Sequence, residues 1–295
     1  MRVLYPSVLL ALALVGCAQT PVYDVVLTGG RVIDPASGFD AVRNVGIQDG
    51  SVVVVTEDAI NGAEAFDVSG LVVAPGFIDL HRHGDSLENY RAQIHDGITS
   101  ALELEIGVAD IASWYADREG VTPVNFGATI SHPYSRNLVM FGENTGLAAN
   151  ETSDEPATPE QIEEIVGRIE AGLDQGAVGV GFGIVYTPGI TAEELRAGFA
   201  AAARANASAH VHIRAEHGDL ENLDEVFTAA EETGAALHIV HINSSGRDRA
   251  LEYLERIQAA RDRGIDVTTE CYPYNRGSTA IDSHQFDDWE SYTDE

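Results

Sequence analysis

Hydrophobic and polar residues follow two different patterns along this chain. In its first part, short apolar runs such as Val52–Val55 are separated by turn pairs such as Gly29-Gly30 and Asp49-Gly50. Apolar runs of this length, bounded by glycine and aspartate, are typical of β-strands joined by tight turns. The pattern therefore predicts a small β-sandwich-like domain over residues 17–71.

From residue 72 onward, strand-like apolar runs alternate with segments of helical periodicity. The candidate strands span 72–80, 98–105, 123–131, 177–185, 209–213, 236–241 and 266–272. Repeated strand–helix units predict a parallel sheet, and this many of them predict an α/β fold of the (β/α)8 TIM-barrel type. Because only about seven strands are found, residues 72–295 are expected to form a barrel that is incomplete at its C-terminus.

Residues 158–175 give the clearest helical signal. Thr158 is suited to cap the helix N-terminus, and Gln161 completes a capping box with it. One stripe of the predicted helix carries the apolar residues Ile162, Ile165, Val166, Ile169 and Leu173. The segment is therefore predicted to be a helix that packs this stripe against the sheet.

The charge balance excludes one class of partner. The chain carries 47 acidic and 17 basic residues, which gives a formal net charge of −30. A surface this acidic repels phosphate backbones, so we expect no nucleic-acid partner. All the basic residues are arginines, and the absence of lysine restricts the metal chemistry that the chain can perform.

The N-terminus carries the features of a targeting signal. Residues 7–16 form an apolar run too short to span a bilayer but long enough for a signal peptide. The following Leu14-Val15-Gly16-Cys17 resembles the lipobox of bacterial lipoproteins. That resemblance implies a signal peptide over 1–16, lipidation of Cys17, and a periplasmic protein held at the membrane by this lipid alone. Ala18 after the cysteine favours the outer membrane; the alternative is an ordinary secretory signal with a chance cysteine.

Two histidines follow the first candidate barrel strand. His81 and His83 are two positions apart, so both imidazoles are expected on the same face of the chain. The C-terminal ends of barrel strands are where such folds place their sites. Two imidazoles this close suit a divalent metal. The alternative is a pair of hydrogen-bonded structural histidines.

The residues around these histidines resemble a known family. The run Pro75-Gly76-Phe77-Ile78-Asp79-Leu80-His81-Arg82-His83-Gly84 is similar to the first-strand metal motif of the amidohydrolase superfamily. Further motifs resemble the later strands of that family in the right order: Asp96–Ser100, Gly127–Arg136, Gly181–Gly189, His212–Glu216, His238–His241 and Tyr272–Thr279. The resemblance covers roughly residues 22–280. It is nearest to the branch of N-acyl-D-amino-acid deacylases (D-aminoacylase-like) and isoaspartyl dipeptidases.

The resemblance implies a metal centre of zinc or another divalent metal, with one or two ions. His81 and His83 are expected to hold one ion. His212 and His241, at the ends of the fifth and sixth strands, are expected to hold a second ion or to complete the first. We expect the remaining strand histidines, His210 and His238, to be structural.

A group that joins two metal ions must come from the second strand. A carboxylated lysine, which many members of the superfamily use, is excluded because the chain has no lysine. The cysteine found in the deacylase branch is absent here, whereas Glu103 and Glu105 share one face of the strand. Glu105 is nearer the strand end and is the preferred bridge; Glu103 is the alternative if the register differs. A third possibility is that Glu103 pairs with an arginine and that no bridge exists.

The resemblance also implies substrate-binding residues. Tyr186, Arg214 and Tyr274 match positions that surround the scissile carbonyl and the substrate carboxylate in the family. A guanidinium suits a carboxylate because it can bind both oxygens. His132 is expected in the same pocket, and each of the four has a purely structural role as its alternative.

The family places its proton-transferring aspartate on the eighth strand, so we expect that residue beyond position 295 and the sequence to be incomplete. The function implied is metal-dependent hydrolysis of the amide bond in small N-acyl amino acids, with the D configuration preferred. The alternatives are an isoaspartyl-type dipeptidase, a cyclic-amide hydrolase, or a non-catalytic lipoprotein that retains the barrel as a binding module.

Overall fold

The structure of the chain is a computed structural model that describes residues 22–84, 86–214, 219–283 and 286. The chain divides into two compact units, the first ending at Pro75 and the second beginning at Gly76. The expected signal peptide and Cys17 lie outside the described residues. Within the described ranges, no helix has the length and apolar character needed to cross a membrane.

The first unit contains one five-stranded sheet. Its strands are β1 (Val22–Asp34), β2 (Phe39–Gln48), β3 (Ser51–Thr56), β4 (Asn61–Asp67) and β5 (Val72–Val73). The sheet order is β3-β2-β1-β4, and β5 pairs with β1. We predicted a sandwich-like unit; the described strands form a single sheet instead.

Two predicted turns in this unit have different outcomes. Asp49 and Gly50 form the two-residue connection between β2 and β3, with φ values of 51° and 73°. Positive φ at both positions is what a type I′ hairpin requires. Gly29, by contrast, lies inside β1, where the pairing register shifts between Leu27 and Gly30. The glycine pair predicted as a turn is therefore a β-bulge, which Gly29 permits through its φ of 74°.

The second unit is an α/β half-barrel. Its strands are β6 (Phe77–Asp79), β7 (Ile98–Val108), β8 (Asn125–Ser131), β9 (Gly179–Gly183), β10 (Ser208–His212), β11 (Ala236–Ile239) and β12 (Val267–Thr269). All pairs are parallel and the sheet order follows the chain order. The predicted TIM-type fold with about seven strands is confirmed.

The helices connect successive strands. They are α1 (Leu87–His95), α2 (Ile111–Ala116), α3 (His132–Met140), α4 (Pro159–Asp174), α5 (Ala192–Arg204), α6 (Asn222–Thr233), α7 (Ile242–Gly246) and α8 (Ala250–Asp262). Short 3-10 turns span Ile184–Tyr186 and Arg247–Arg249. In a barrel of this topology, the loops after the strands gather at one end and carry the site.

The strand predicted over 72–80 is wrong as a single element. Val72–Val73 pairs in the sheet of the first unit, and Phe77–Asp79 pairs with β7 in the second. Pro75 lies between the two pieces and has no backbone N–H to donate to a ladder. The unit boundary at Pro75 falls at the same place.

Helix α4 shows how the sequence positions the outer layer. The Thr158 side chain accepts a hydrogen bond from the backbone N–H of Gln161, and the Gln161 side chain accepts one from the backbone N–H of Thr158, so the capping box is present. Ile165 and Ile169 are fully buried, facing the sheet with Val180 of β9 in the same core. Each such burial contributes about 1.5–3 kcal/mol, which holds the helix against the strands that support the site.

Candidate metal centre

The functional side chains come from the ends of four strands. His81 and His83 follow β6, Glu105 lies in β7, His212 ends β10, and His241 comes two residues after β11. In parallel strands the carboxyl ends meet at one edge of the sheet, so residues far apart in sequence converge there. Glu105 is buried, with 5% of its side chain exposed, whereas half of the His83 side chain is open to solvent.

One oxygen of Glu105 faces the first pair of histidines. Oε2 of Glu105 lies 3.0 Å from Nε2 of His81 and 3.0 Å from Nε2 of His83. The two Nε2 atoms are 3.2 Å apart. Two ligand atoms on one tetrahedral zinc ion, each bonded at about 2.0–2.1 Å, lie roughly 3.3 Å apart. The triangle formed by these three atoms therefore has the dimensions of one face of a zinc site.

The other oxygen of Glu105 faces the second pair. Oε1 lies 2.6 Å from Nδ1 of His212 and 3.1 Å from Nε2 of His241. Ligand atoms of His81, Glu105 and His241 all lie within 4.8 Å of one another. Glu105 is thus placed between two pairs of imidazoles, with one oxygen for each pair, which is the geometry that a bridging carboxylate needs.

The electrostatics of the cluster favour positive charge. Burial opposes the charged form of His81 and His83, but the neighbouring carboxylates outweigh it. Hydrogen bonds to Glu105 and Glu270 raise the pKa of His81 to about 9, and those to Glu103 and Glu105 raise the pKa of His83 to about 10. Burial acts on Glu105 in the opposite direction, yet its four histidine contacts hold its pKa well below the usual value.

His212 differs from the other two because burial dominates. Its pKa is lowered by desolvation, despite the hydrogen bond to Glu105. Its ring therefore remains neutral near neutral pH, and a neutral imidazole is the form that binds a metal. A buried carboxylate among imidazole nitrogens is a donor set that fits zinc or a similar divalent ion.

Glu103 lies on the outer side of His83. Its Oε2 is 3.2 Å from Nδ1 of His83, the ring nitrogen that points away from Glu105. The two glutamates share one face of β7, as their spacing predicts, and both are buried. Glu103 is therefore placed to orient His83, whereas Glu105 occupies the position between the two histidine pairs.

Glu270 also contacts this cluster, although no motif in the sequence marks it. Its Oε1 contacts Nδ1 of His81, and its Oε2 is 3.3 Å from Nε2 of His238. Glu270 directly follows β12, so the available signal was a carboxylate at the end of a barrel strand. That strand was predicted to continue to residue 272, which hid the strand end.

The structure does not bring His132 or Arg214 to the cavity. His132 is fully buried and bonds Glu194 at 2.9 Å. Arg214 donates to Glu225 at 2.9 Å and to two backbone carbonyls, those of Pro188 and Ile190. Other parts of the barrel thus already use polar atoms of both residues, and their expected substrate contacts stay predictions.

Tyr186 and Tyr274 do line the cavity in front of the histidines, which has a volume of about 830 Å³. The hydroxyl of Tyr186 lies 2.9 Å from Oγ1 of Thr279. Tyr274 is 70% exposed, and its ring stacks near that of Tyr272. Arg247 and Arg276 line the same cavity. The space beside the metal centre is therefore walled by phenolic rings and guanidinium groups.

The Amidohydrolase family model matches residues 72–245, more than half of the chain, and the chain belongs to this family. An N-acyl-D-glutamate deacylase of Alcaligenes xylosoxydans xylosoxydans is 28% identical over 88% of this chain and 58% of its own length. A dihydroorotase of Trichlorobacter lovleyi is also 28% identical, over 85% of this chain and 61% of its own length.

The solved structure of N-acyl-D-glutamate deacylase from Bordetella bronchiseptica, complexed with zinc and a phosphonate inhibitor, superimposes with a TM-score of 0.75. It is 26% identical and matches 86% of this chain and 59% of that protein. The chain thus spans less than two thirds of the relatives it matches.

Proposed function

We propose that the protein is a zinc-dependent or similar divalent-metal-dependent amidohydrolase of small N-acyl amino acids, with the D configuration preferred. The observation that carries the proposal is the placement of Glu105, whose two oxygens face separate pairs of histidines. This arrangement supports two ions joined by Glu105. A site with one ion is the alternative.

A divalent ion held there supplies Lewis-acid polarisation of a carbonyl oxygen and lowers the pKa of a water molecule. The chain's own residues supply the frame. Glu105 and the four histidines would hold the ion or ions, and Glu103 contacts Nδ1 of His83, the ring nitrogen that faces away from Glu105. A hydrogen bond to the ring nitrogen that does not bind the metal sets the tautomer and orientation of a ligand histidine.

The cavity supports a small substrate that carries a carboxylate. Its volume of about 830 Å³ falls within the usual range for small-molecule sites. Arg247 and Arg276 line it, and within the described residues neither side chain is paired with a carboxylate. In a chain with 47 acidic residues, two arginines without such a partner favour an acidic ligand.

The choice among substrates rests on the relatives. Two of them are named N-acyl-D-glutamate deacylase and D-aminoacylase, which supports the D-configured acyl amino acid. A second candidate is a cyclic amide, because a dihydroorotase matches a similar share of the chain at the same identity. An isoaspartyl dipeptide is the third substrate class to be compared.

Steady-state rates of the zinc-loaded protein test the proposal. The probes are N-acetyl-D-glutamate, N-acetyl-D-leucine, their L enantiomers, dihydroorotate and a β-aspartyl dipeptide, with Glu105→Gln as the background control. Faster hydrolysis of the D-acyl amino acids is expected. Equal rates on both enantiomers would remove the D preference, and turnover of dihydroorotate alone would favour the cyclic amide. No turnover of any probe would favour a binding module.

We also propose a periplasmic location, with the protein anchored by lipid on Cys17, at the outer membrane. The support is the sequence Leu14-Val15-Gly16-Cys17 after an apolar run, followed by Ala18. In this proposal the lipid is the sole membrane attachment.

A further inference from the structure

Glu270 receives three hydrogen-bond donors at the end of the seventh strand of the half-barrel. Its carboxylate contacts the ring nitrogen Nδ1 of His81, lies 3.3 Å from Nε2 of His238, and accepts the backbone N–H of His241 at 3.4 Å. Its side chain is 17% exposed. The residue thus touches one histidine from each pair that Glu105 separates.

The contact with His81 fixes which ring nitrogen is free. A neutral imidazole carries one N–H and one lone pair, and an ionised carboxylate can only accept. When a metal ion binds His81 through Nε2, the one remaining ring proton lies on Nδ1, against Glu270. Nε2 is the atom that faces Glu105 and His83. Glu270 therefore presents the lone pair of His81 to the position between those ligands.

Glu270 also accepts hydrogen bonds from the backbone N–H groups of His241 and Ile242, which follow β11. His241 has φ 33° and ψ 56°, a left-handed conformation that is uncommon for a residue with a side chain. Its N–H is donated to the Glu270 carboxylate, and the N–H of Ile242 is donated to the Glu270 carbonyl at 2.9 Å. Two bonds from one residue thus hold the turn that directs the His241 ring towards Glu105.

The Glu270 carboxylate is itself oriented by a hydrogen bond from His238. Nδ1 of His238 lies 2.8 Å from the hydroxyl of Thr268, which leaves Nε2 to donate to Glu270. The ring of His210 lies 5.2 Å from that of His238 and bonds Ser208 at 2.9 Å. Both buried histidines are expected to be structural: His238 contacts the Glu270 carboxylate, and His210 packs against His238.

We propose that Glu270 is a positioning residue for both halves of the metal centre, acting on His81 through its ring and on His241 through its backbone. The inference rests on the proposed metal site but not on any particular substrate. A residue that served only to fill space at the strand end would not select the tautomer of His81.

Zinc affinity of the full chain, measured by competition with a chromophoric chelator, tests this. Glu270→Gln presents an amide in place of one carboxylate oxygen and is expected to weaken zinc binding roughly 10–100-fold, the usual loss when a second contact of a ligand is removed. Glu270→Asp, which keeps the charge, should recover part of the affinity. Glu170→Gln is the matched control: it makes the same carboxylate-to-amide change at an exposed pair with Arg204 and should leave the zinc affinity unchanged.

A second readout is the set of ¹⁵N chemical shifts of the His81 ring in the zinc-loaded protein. In the wild type, Nδ1 is expected to carry the ring proton and donate it to Glu270; Glu270→Gln should shift the Nδ1 resonance, because a neutral amide replaces the carboxylate that accepts this proton. Wild-type affinity together with an unchanged His81 ring in Glu270→Gln would overturn the inference. Failure of the wild type itself to bind zinc would instead refute the proposed metal site, so the two outcomes are distinct. If Glu270→Gln does not fold, Glu270→Ala decides, because it leaves no side-chain acceptor for His81 or His241: wild-type zinc affinity and an unchanged His81 ring there also overturn the inference.

Discussion

Oε1 of Glu105 and Nδ1 of His212 lie 2.6 Å apart, although the residues are 107 positions apart in sequence. Glu105 belongs to β7 and His212 to β10, and two further strands separate these in the sheet. The side chains can meet only because the sheet curls, so that strands which are not neighbours face one another across the interior. The proposed metal centre therefore depends on the curvature of the half-barrel and on the packing of the helices outside it.

Gly172 of α4 provides a test of that packing. A Cβ at this position would lie 2.6–2.7 Å from side-chain atoms of Ile130 in β8. Alanine gains about 0.5–1 kcal/mol over glycine in a helix, but overpacking a core costs about 1–3 kcal/mol. The steric cost wins, and Gly172→Ala is expected to lower the free energy of unfolding by roughly 1–2 kcal/mol in urea titrations.

Gly167 in the same helix is the matched control. A Cβ there meets no atom within 4 Å. Gly167→Ala is therefore expected to raise the free energy of unfolding by about 0.5–1 kcal/mol. If both variants were stabilised, the close approach of α4 to β8 would be wrong.

Glu194 is the buried acceptor for His132 and Arg136, at 2.9 and 3.1 Å. Glu194→Gln removes the charge but keeps the volume, which leaves a buried guanidinium without its counter-ion. We expect a loss of about 3 kcal/mol at pH 7, where the ranges for charged hydrogen bonds and for broken buried pairs meet. Glu170→Gln, which alters an exposed pair with Arg204, should cost at most about 1 kcal/mol.

The contacts of Glu194 with His132 and Arg136 also predict that the stability of the protein depends on pH. Burial tends to raise the pKa of Glu194, but His132 and Arg136 outweigh it, so its pKa in the folded protein lies below 4.5. As the pH falls, Glu194 is therefore protonated at a higher pH in the unfolded chain than in the folded protein. The stability that Glu194 contributes is present above pH 4.5 and is lost as the pH falls through the folded pKa. Urea titrations at pH 7 and pH 4 should show the gap between wild type and Glu194→Gln narrowing at the lower pH. A gap that widens would contradict this account.

Cys17→Ser tests the proposed anchor. Without the thiol, the protein is expected to lack the acyl group at this position and to accumulate as uncleaved precursor or in the soluble fraction. A single acyl chain binds membranes only marginally, so the several chains of a bacterial lipoprotein are needed for the wild type to sediment with membranes. Fractionation and mass spectrometry of the mature N-terminus give the answer; a wholly soluble wild type that begins elsewhere would refute the proposal.

The fold could be predicted from the sequence because its signals are local. The capping box of α4 and the alternation of apolar runs with helical stripes depend on residues a few positions apart. The period of two along a strand likewise placed Glu103 and Glu105 on one face before the structure was known. Strand ends were less well defined, and the break at Pro75 was missed because apolar residues flank it on both sides.

The parts that could not be predicted depend on contacts between distant residues. Arg214 lies close in sequence to metal-site residues, yet Glu225 and the carbonyl of Pro188 occupy its guanidinium. Glu270 acts on His81 across 189 positions of sequence. The spacing of these residues in the sequence predicts neither contact, because both depend on how the strands are arranged around the barrel.

The central claim is that Glu105 joins the two halves of one metal centre. The direct test is the zinc content of purified wild type, Glu105→Gln and Glu103→Gln, measured by elemental analysis after preparation without chelator. Glutamine at position 105 keeps the shape but removes the charge that faces all four histidines. We expect Glu105→Gln to retain one zinc ion or none while remaining folded, and Glu103→Gln to lose less. Full zinc occupancy in Glu105→Gln, with loss in Glu103→Gln or in neither variant, would contradict the claim.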